Sequence, residues 1–162
     1  MELSAYEREL VEEIDGHGWF CVCVLEDEGE PGFAYSVGLP ETLGTPELIV
    51  FGLDPHLMHG MLWSAFRQLR DGREVKDGNA FPGLIEGFDC IVRDVHASNI
   101  VTNYFNSALW YRGYRTGAEE GLTAVQIVWP SADNGRFPWE AGADPSLNCC
   151  QPPLYLPRRG FH

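Results

Sequence analysis

Lysine is almost missing from this sequence: Lys76 is the only one, and with arginine the basic residues number 11 against 24 acidic ones. The formal net charge is -13, and no basic run or stripe interrupts it. Nucleic acid and anionic membrane are therefore set aside as main partners, because both are held by Lys and Arg against phosphate. A cationic protein partner is compatible with this charge, and so is solubility alone. Long apolar runs are missing as well, none approaching the ~20 residues of a membrane span. The opening residues are acidic and helix-like rather than basic and then apolar, so no signal peptide is expected. There is no internal repeat, no low-complexity tract and no glycine loop for a phosphate, and no cofactor is implied. The five cysteines (Cys21, Cys23, Cys90, Cys149 and Cys150) are odd in number and lack a secretory context. Reduced thiols and a cytoplasmic location are the expectation.

What the chain does have is apolar mass: hydrophobic residues make up 44% of it, and five are tryptophan. A chain of this length buries roughly 70% of its unfolded surface, so a single domain over residues 1–162 needs no staples. Ser4 and Glu7 have capping-box spacing, and Tyr6, Leu10, Val11 and Ile14 then recur as a helix stripe, stopped at Gly16. The apolar run Trp19–Leu25 and the segment Phe33–Val37 read as the two strands of a hairpin, joined by the acidic stretch Glu26–Glu30 and Pro31-Gly32. Leu48–Phe51 is another strand. Asp54-Pro55 caps a helix whose stripe is Leu57, Met58, Met61, Leu62, Ala65, Phe66 and Leu69, ended by Gly72.

Residues 72–87, rich in glycine and charge, read as an irregular crossing. Phe88–Val95 and Leu122–Trp129 are strands, and between them Ser98 looks like the cap of a third helix. The stretch 130–162 holds six of the eleven prolines and reads as a tail ordered by docking Phe137, Trp139, Leu154 and Tyr155, without regular structure. These elements give an α+β fold class: a mixed or mostly antiparallel sheet packed against about three helices, not a doubly wound one.

Several blocks carry a resemblance: His17-Gly18-Trp19, Phe33-Ala34-Tyr35-Ser36-Val37-Gly38-Leu39, Pro46-Glu47-Leu48, Gln126-Ile127-Val128-Trp129-Pro130 and Gly135-Arg136-Phe137-Pro138-Trp139-Glu140. In this order, over most of the chain, they resemble the bacterial family called domain of unknown function 4262. The resemblance implies an α+β domain and no particular activity. Relative to the family pattern, Ser36 stands where Thr is usual, Thr45 where His is usual, and Ser131 where Asp is usual.

The candidate site comes from the polar residues around the hairpin. His17, Tyr35, Ser36 and Glu47 all fall near strand ends, and they are expected to line a small-molecule pocket at the sheet edge. Trp19 and Trp129 would be its apolar walls, with Gln126 as a ligand-reading amide. If the pocket is catalytic, His17 or Glu47 is the proton carrier. The bland alternative is that His17, Glu47 and Gln126 brace loops and that Tyr35 packs with a polar tip. Ala34–Gly38 mimics a nucleophile elbow, but Leu39-Pro40 shows no helix directly after it, so Ser36 is not read as a nucleophile. His56 and His59 share a helix face but lack further ligands, so no metal is assigned. Cys21 and Cys23 alternate on a strand and read as buried small hydrophobes. Cys149-Cys150 is too close in sequence for an unstrained disulfide. Against the pocket stands a second expectation, an acidic interaction module that neutralises or regulates a basic protein. A subunit of a homo-oligomer is also compatible with the aromatic content.

Overall fold

The computed structural model describes residues 2–158. Six strands form one mixed sheet: β1 (Phe20–Val24), β2 (Phe33–Val37), β3 (Glu47–Phe51), β4 (Ala80–Ile85), β5 (Phe88–Asp94) and β6 (Ala124–Val128), in the order β1-β2-β3-β6-β5-β4. Every pairing is antiparallel except that of β3 with β6. Strands β2, β3 and β6 are buried along their whole length, as expected of central strands covered on both faces. The α+β class expected from the sequence is what the chain adopts.

Three long helices cover the sheet: α1 (Ala5–His17), α3 (Pro55–Arg70) and α4 (Thr102–Thr116). Helix α3 carries Met58, Met61, Leu62, Ala65, Phe66 and Leu69 onto one face, where they meet Ala34, Leu48, Val50, Val125 and Ile127. The other face takes Leu10 and Ile14 of α1 and Phe105, Ala108 and Leu109 of α4 against Tyr35, Val37, Ile49 and Phe51. Neighbouring strand residues go to opposite clusters, as a pleat of period two requires. The capping box at Ser4 and Glu7 is formed, and α1 runs through Gly16 to a left-handed Gly18 cap. Among the described residues no helix is long and apolar enough to cross a membrane.

Three parts of the sequence reading are corrected. The crossing at 72–87 contains β4, an edge strand that tolerates Pro82 and Gly83 because its outer side has no ladder to complete. The segment near Ser98 is a short 3-10 turn, Ala97–Asn99, capped by the His96 side chain; α4 starts separately after Val101. A short helix, α2 (Leu39–Leu43), follows β2 at once, with Gly38 left-handed (φ 103°) at the junction. Pro40 fits because a proline in the first turn removes an N–H that has no helical partner anyway.

The stretch after Pro130, expected to lack regular structure, contains a helix, α5 (Ser146–Cys150). Gln126 Nε2 donates to Pro152 O at 2.9 Å, and Gln126 Oε1 accepts from Leu154 N at 3.0 Å. Asn99 Nδ2 holds the carbonyls of Leu154 and Leu156. Phe137 stacks on Trp139, and Arg93 lies over both Trp139 and Tyr155, at 4.7 and 4.4 Å from the ring centroids. The last part of the tail, 159–162, lies outside the described residues.

Candidate functional site

The polar residues expected to share one pocket are divided by the structure. Glu47 is 1% exposed, and its carboxyl accepts from Ser36 Oγ (2.8 Å), Gly38 N (2.7 Å) and Leu39 N (3.2 Å). Two of these donors are main-chain N–H groups at the start of α2, where a carboxyl is favourably placed. Burial nevertheless dominates and lifts its pKa to about 8, against the three donors that pull it down. Ser36, also 1% exposed, accepts in turn from Leu48 N. Ser36 and Glu47 therefore meet, but as a sealed brace between β2, α2 and β3. Ser36 also lies two residues before the turn at Gly38, so the strand-to-helix junction does not present it as a nucleophile.

Tyr35 belongs to the cluster on the α1 and α4 face, and its hydroxyl accepts from Ser107 N at 2.9 Å. Gln126 is fully buried and holds the tail. Trp129 is half-buried; its Nε1 donates to Phe51 O, and the Gln151 side chain brackets its main chain. The chemical groups of Tyr35, Ser36, Glu47, Gln126 and Trp129 are thus already hydrogen-bonded within the fold, mostly to main-chain atoms, and none of the five lines either of the two hollows below. Thr45 Oγ1 is buried without a hydrogen-bond partner.

His17 and Trp19 do come together. With Glu13, Phe20, Cys21, His59 and Trp63 they line a small hollow of about 150 Å³ where α1, β1 and α3 meet. His17 is exposed in the last turn of α1, and its Nε2 lies 3.5 Å from Glu13. Trp19 stacks on Phe66 and meets Trp63 edge-on at 5.1 Å between centroids; its Nε1 has no hydrogen-bond partner. His59 stands 6.3 Å from the Trp19 ring. Among the described residues no three His, Cys, Asp or Glu side chains form a metal site, and His56 and His59 are both exposed.

The larger hollow is at the far end of β1, where the sequence suggested only a loop. The hairpin turn closes with Asp27 and Glu30 exchanging main-chain hydrogen bonds across Glu28 and Gly29. Both central residues have positive φ, 46° and 83°, as in a type I′ turn. Glu28 is the only non-glycine among the described residues in that conformation, which costs an ordinary side chain roughly 1–2 kcal/mol. Beneath the turn lies a cleft of about 1000 Å³ lined by Val24–Gly32, Gly52–Pro55, Met58 and Cys149-Cys150.

Five of its lining residues are acidic (Glu26, Asp27, Glu28, Glu30 and Asp54), and none is Lys, Arg or His. All five are exposed, and the ion pairs among the described residues involve none of them. Gly52 is required at the cleft floor: it has φ +79°, and a Cβ there would stand 2.5 Å from Cys150 O.

The thiols are less uniform than expected. Cys90 is buried and Cys21 half-buried, and burial pushes both up to about 12, far from thiolate. Cys23, expected to be a buried small hydrophobe, is exposed on the edge strand β1. Cys149 is exposed on the cleft wall. The signal for the acidic cleft was present in the sequence, as four carboxylates between residues 26 and 30. Nothing in the sequence indicated that residues 52–58 and 149–150 would fold up beside them.

A family model described as "Domain of unknown function (DUF4262)" matches residues 13–144. No curated protein and no solved structure matches the chain.

Proposed function

The chain belongs to the DUF4262 family, whose description names no activity, and from that premise we propose that it is a binding protein whose acidic cleft receives a cationic segment of another protein. The observation that carries this reading is the set of five carboxylates around one hollow with no basic residue among its lining. Like charges gathered in a concave site focus a negative potential that only a cation relieves. Leu25, 69% exposed on the rim, and Val24 beside it offer apolar surface to the stem of a Lys or Arg side chain. The strained Glu28 supports the same reading, since a hairpin tip built for stability alone would carry Asn, Asp or Gly there.

A second reading, a small cationic molecule, is favoured by volume, because the cleft lies at the top of the range of about 300–1,000 Å³ for such sites. The test is a titration with an arginine-rich peptide in one arm and spermidine in the other, followed by amide chemical shifts. Tight peptide binding that weakens about tenfold or more between ~20 and ~300 mM salt supports the first reading. Preferential spermidine binding favours the second. Affinity that ignores salt, or that survives conversion of Glu26, Asp27, Glu28 and Glu30 to their amides, refutes both.

A further inference from the structure

The sheet ends in two unlike edges. On one, β4 contains Pro82 and Gly83, and its register with β5 shifts between Phe81 and Ile85. A missing donor and an irregular register are two of the ways in which sheets avoid pairing with other chains. On the other edge, β1 (Phe20-Cys21-Val22-Cys23-Val24) has no proline, no glycine and no charge, and it keeps an unbroken register of five pairs with β2. Among the described residues no strand pairs with its outer side. The two hollows stand at the two ends of this open edge: the small one includes Phe20 and Cys21, and the acidic cleft includes Val24 and Leu25.

We propose that β1 is a recognition edge, to which a basic, extended segment of a partner protein adds as a seventh strand. Main-chain hydrogen bonds to β1 would supply affinity, and side chains reaching the two hollows would supply selectivity. One large apolar or aromatic side chain fits the hollow beside Trp19, His59 and Trp63. A Lys or Arg four positions along fits the acidic cleft. Residues four apart on a strand point to the same face and stand about 13 Å apart, which is the extended-chain spacing from Cys21 in β1 to Leu25 just past its end. A second copy of this chain is the wrong occupant, because it would bring another net charge of -13 and a second acidic hairpin turn to the same edge. The proposal rests on the acidic cleft being a cation site and adds main-chain recognition to it.

The test uses the full chain and a ten-residue peptide alternating arginine with valine, one arginine being replaced by tryptophan. Three controls accompany it: the peptide N-methylated at alternate amides in either register, the peptide with glutamate for arginine, and the protein with Glu26, Asp27, Glu28 and Glu30 converted to amides. Strand addition predicts that one N-methylation pattern weakens binding about tenfold or more. It also predicts slowed hydrogen exchange of the outward-pointing amides, every second one among residues 20–24, and failure of the glutamate peptide. If both N-methylated peptides bind as well as the parent while the amide variant loses binding, the cleft reading stands and strand addition is overturned. If the amide variant binds normally, the cleft reading falls and the proposal with it. A protein that self-associates through residues 20–24 overturns the heterologous partner, and no binding of the basic peptide overturns the whole proposal.

Discussion

Ser36 Oγ donates to Glu47 Oε1 at 2.8 Å while accepting from Leu48 N at the same distance, so one hydroxyl joins β2 to the start of β3 through a buried carboxyl. With Gly38 N and Leu39 N on the same carboxyl, this contact holds the strand–helix junction of β2 and α2. Two residues that a motif search would take for catalytic are, in their surroundings, a buried brace.

Replacing Glu47 with Ala leaves three buried donors short of an acceptor. Unfolding in urea should show a loss of about 3 kcal/mol, the range for orphaned buried groups. The exposed pair of His17 and Glu13 offers the contrast: His17→Ala should stay within about 0.5 kcal/mol of the parent. Equal losses in the two variants would contradict the division between brace and surface.

The same carboxyl gives stability a pH dependence of known sign. Its pKa rises from 4.5 to about 8 on folding, so the folded state holds a proton that the unfolded chain releases between those values. The associated stability is complete below about pH 4.5 and is lost as pH rises through about 8. Urea midpoints at about pH 5 and about pH 9 should differ more for the parent than for Glu47→Gln, which cannot titrate. Parallel pH profiles would remove Glu47 from the account.

Glu28 is held at φ 46° by the hairpin turn. Glu28→Asn suits a type I′ turn better and should raise stability by about 1 kcal/mol. It also removes one of the cleft carboxylates and should weaken binding of an arginine-rich peptide. A variant neither more stable nor weaker in binding would show that the turn carries no strain for the sake of charge.

Gln126→Leu removes both hydrogen bonds that hold Pro152 and Leu154, and Leu is close enough in volume to avoid a large cavity. The expected outcome is a loss of about 2 kcal/mol, with hydrogen exchange accelerated first at Leu154. Acceleration confined to β6 with the tail unaffected would argue against a docking role.

The thiols provide a test that needs no variant. A native-state alkylating reagent should label Cys149 and Cys23 readily and should reach Cys90 only on unfolding, because Cys90 is buried and its pKa stands near 12. Rapid labelling of Cys90 in the native protein would contradict the packing of β5 against α3.

Much of the fold was readable residue by residue. The Ser4–Glu7 box, the Asp54-Pro55 start and the α3 stripe each rest on contacts within four residues in the chain, and all three are formed, except that Leu57 of the expected stripe is exposed and the helix is capped at Asp71 rather than Gly72. The errors fall where a local rule met a long-range partner. Helix α2 was missed because Leu39-Pro40 is a poor helix start in isolation, whereas the distant Glu47 carboxyl satisfies its first N–H groups. β4 was missed because Pro82 and Gly83 argue against a strand unless it lies at an edge, and edge position is a property of the whole sheet. For the site, sequence proximity to strand ends suggested that His17, Tyr35, Ser36 and Glu47 would converge. The pleat instead places Tyr35 on the face opposite the α3 cluster, and α1 carries His17 out to solvent.

The amino-acid order by itself determined the secondary elements with strong local signals, the α+β class and the concentration of negative charge between residues 26 and 30, because periodicity, caps and charge are read along the chain. Only the tertiary structure decided which polar groups are sealed, which edge of the sheet is left open, and that the acidic turn faces Gly52–Pro55 and Cys149-Cys150 across a cleft. Burial and concavity depend on segments more than a hundred residues apart meeting in space, and no local pattern encodes that meeting.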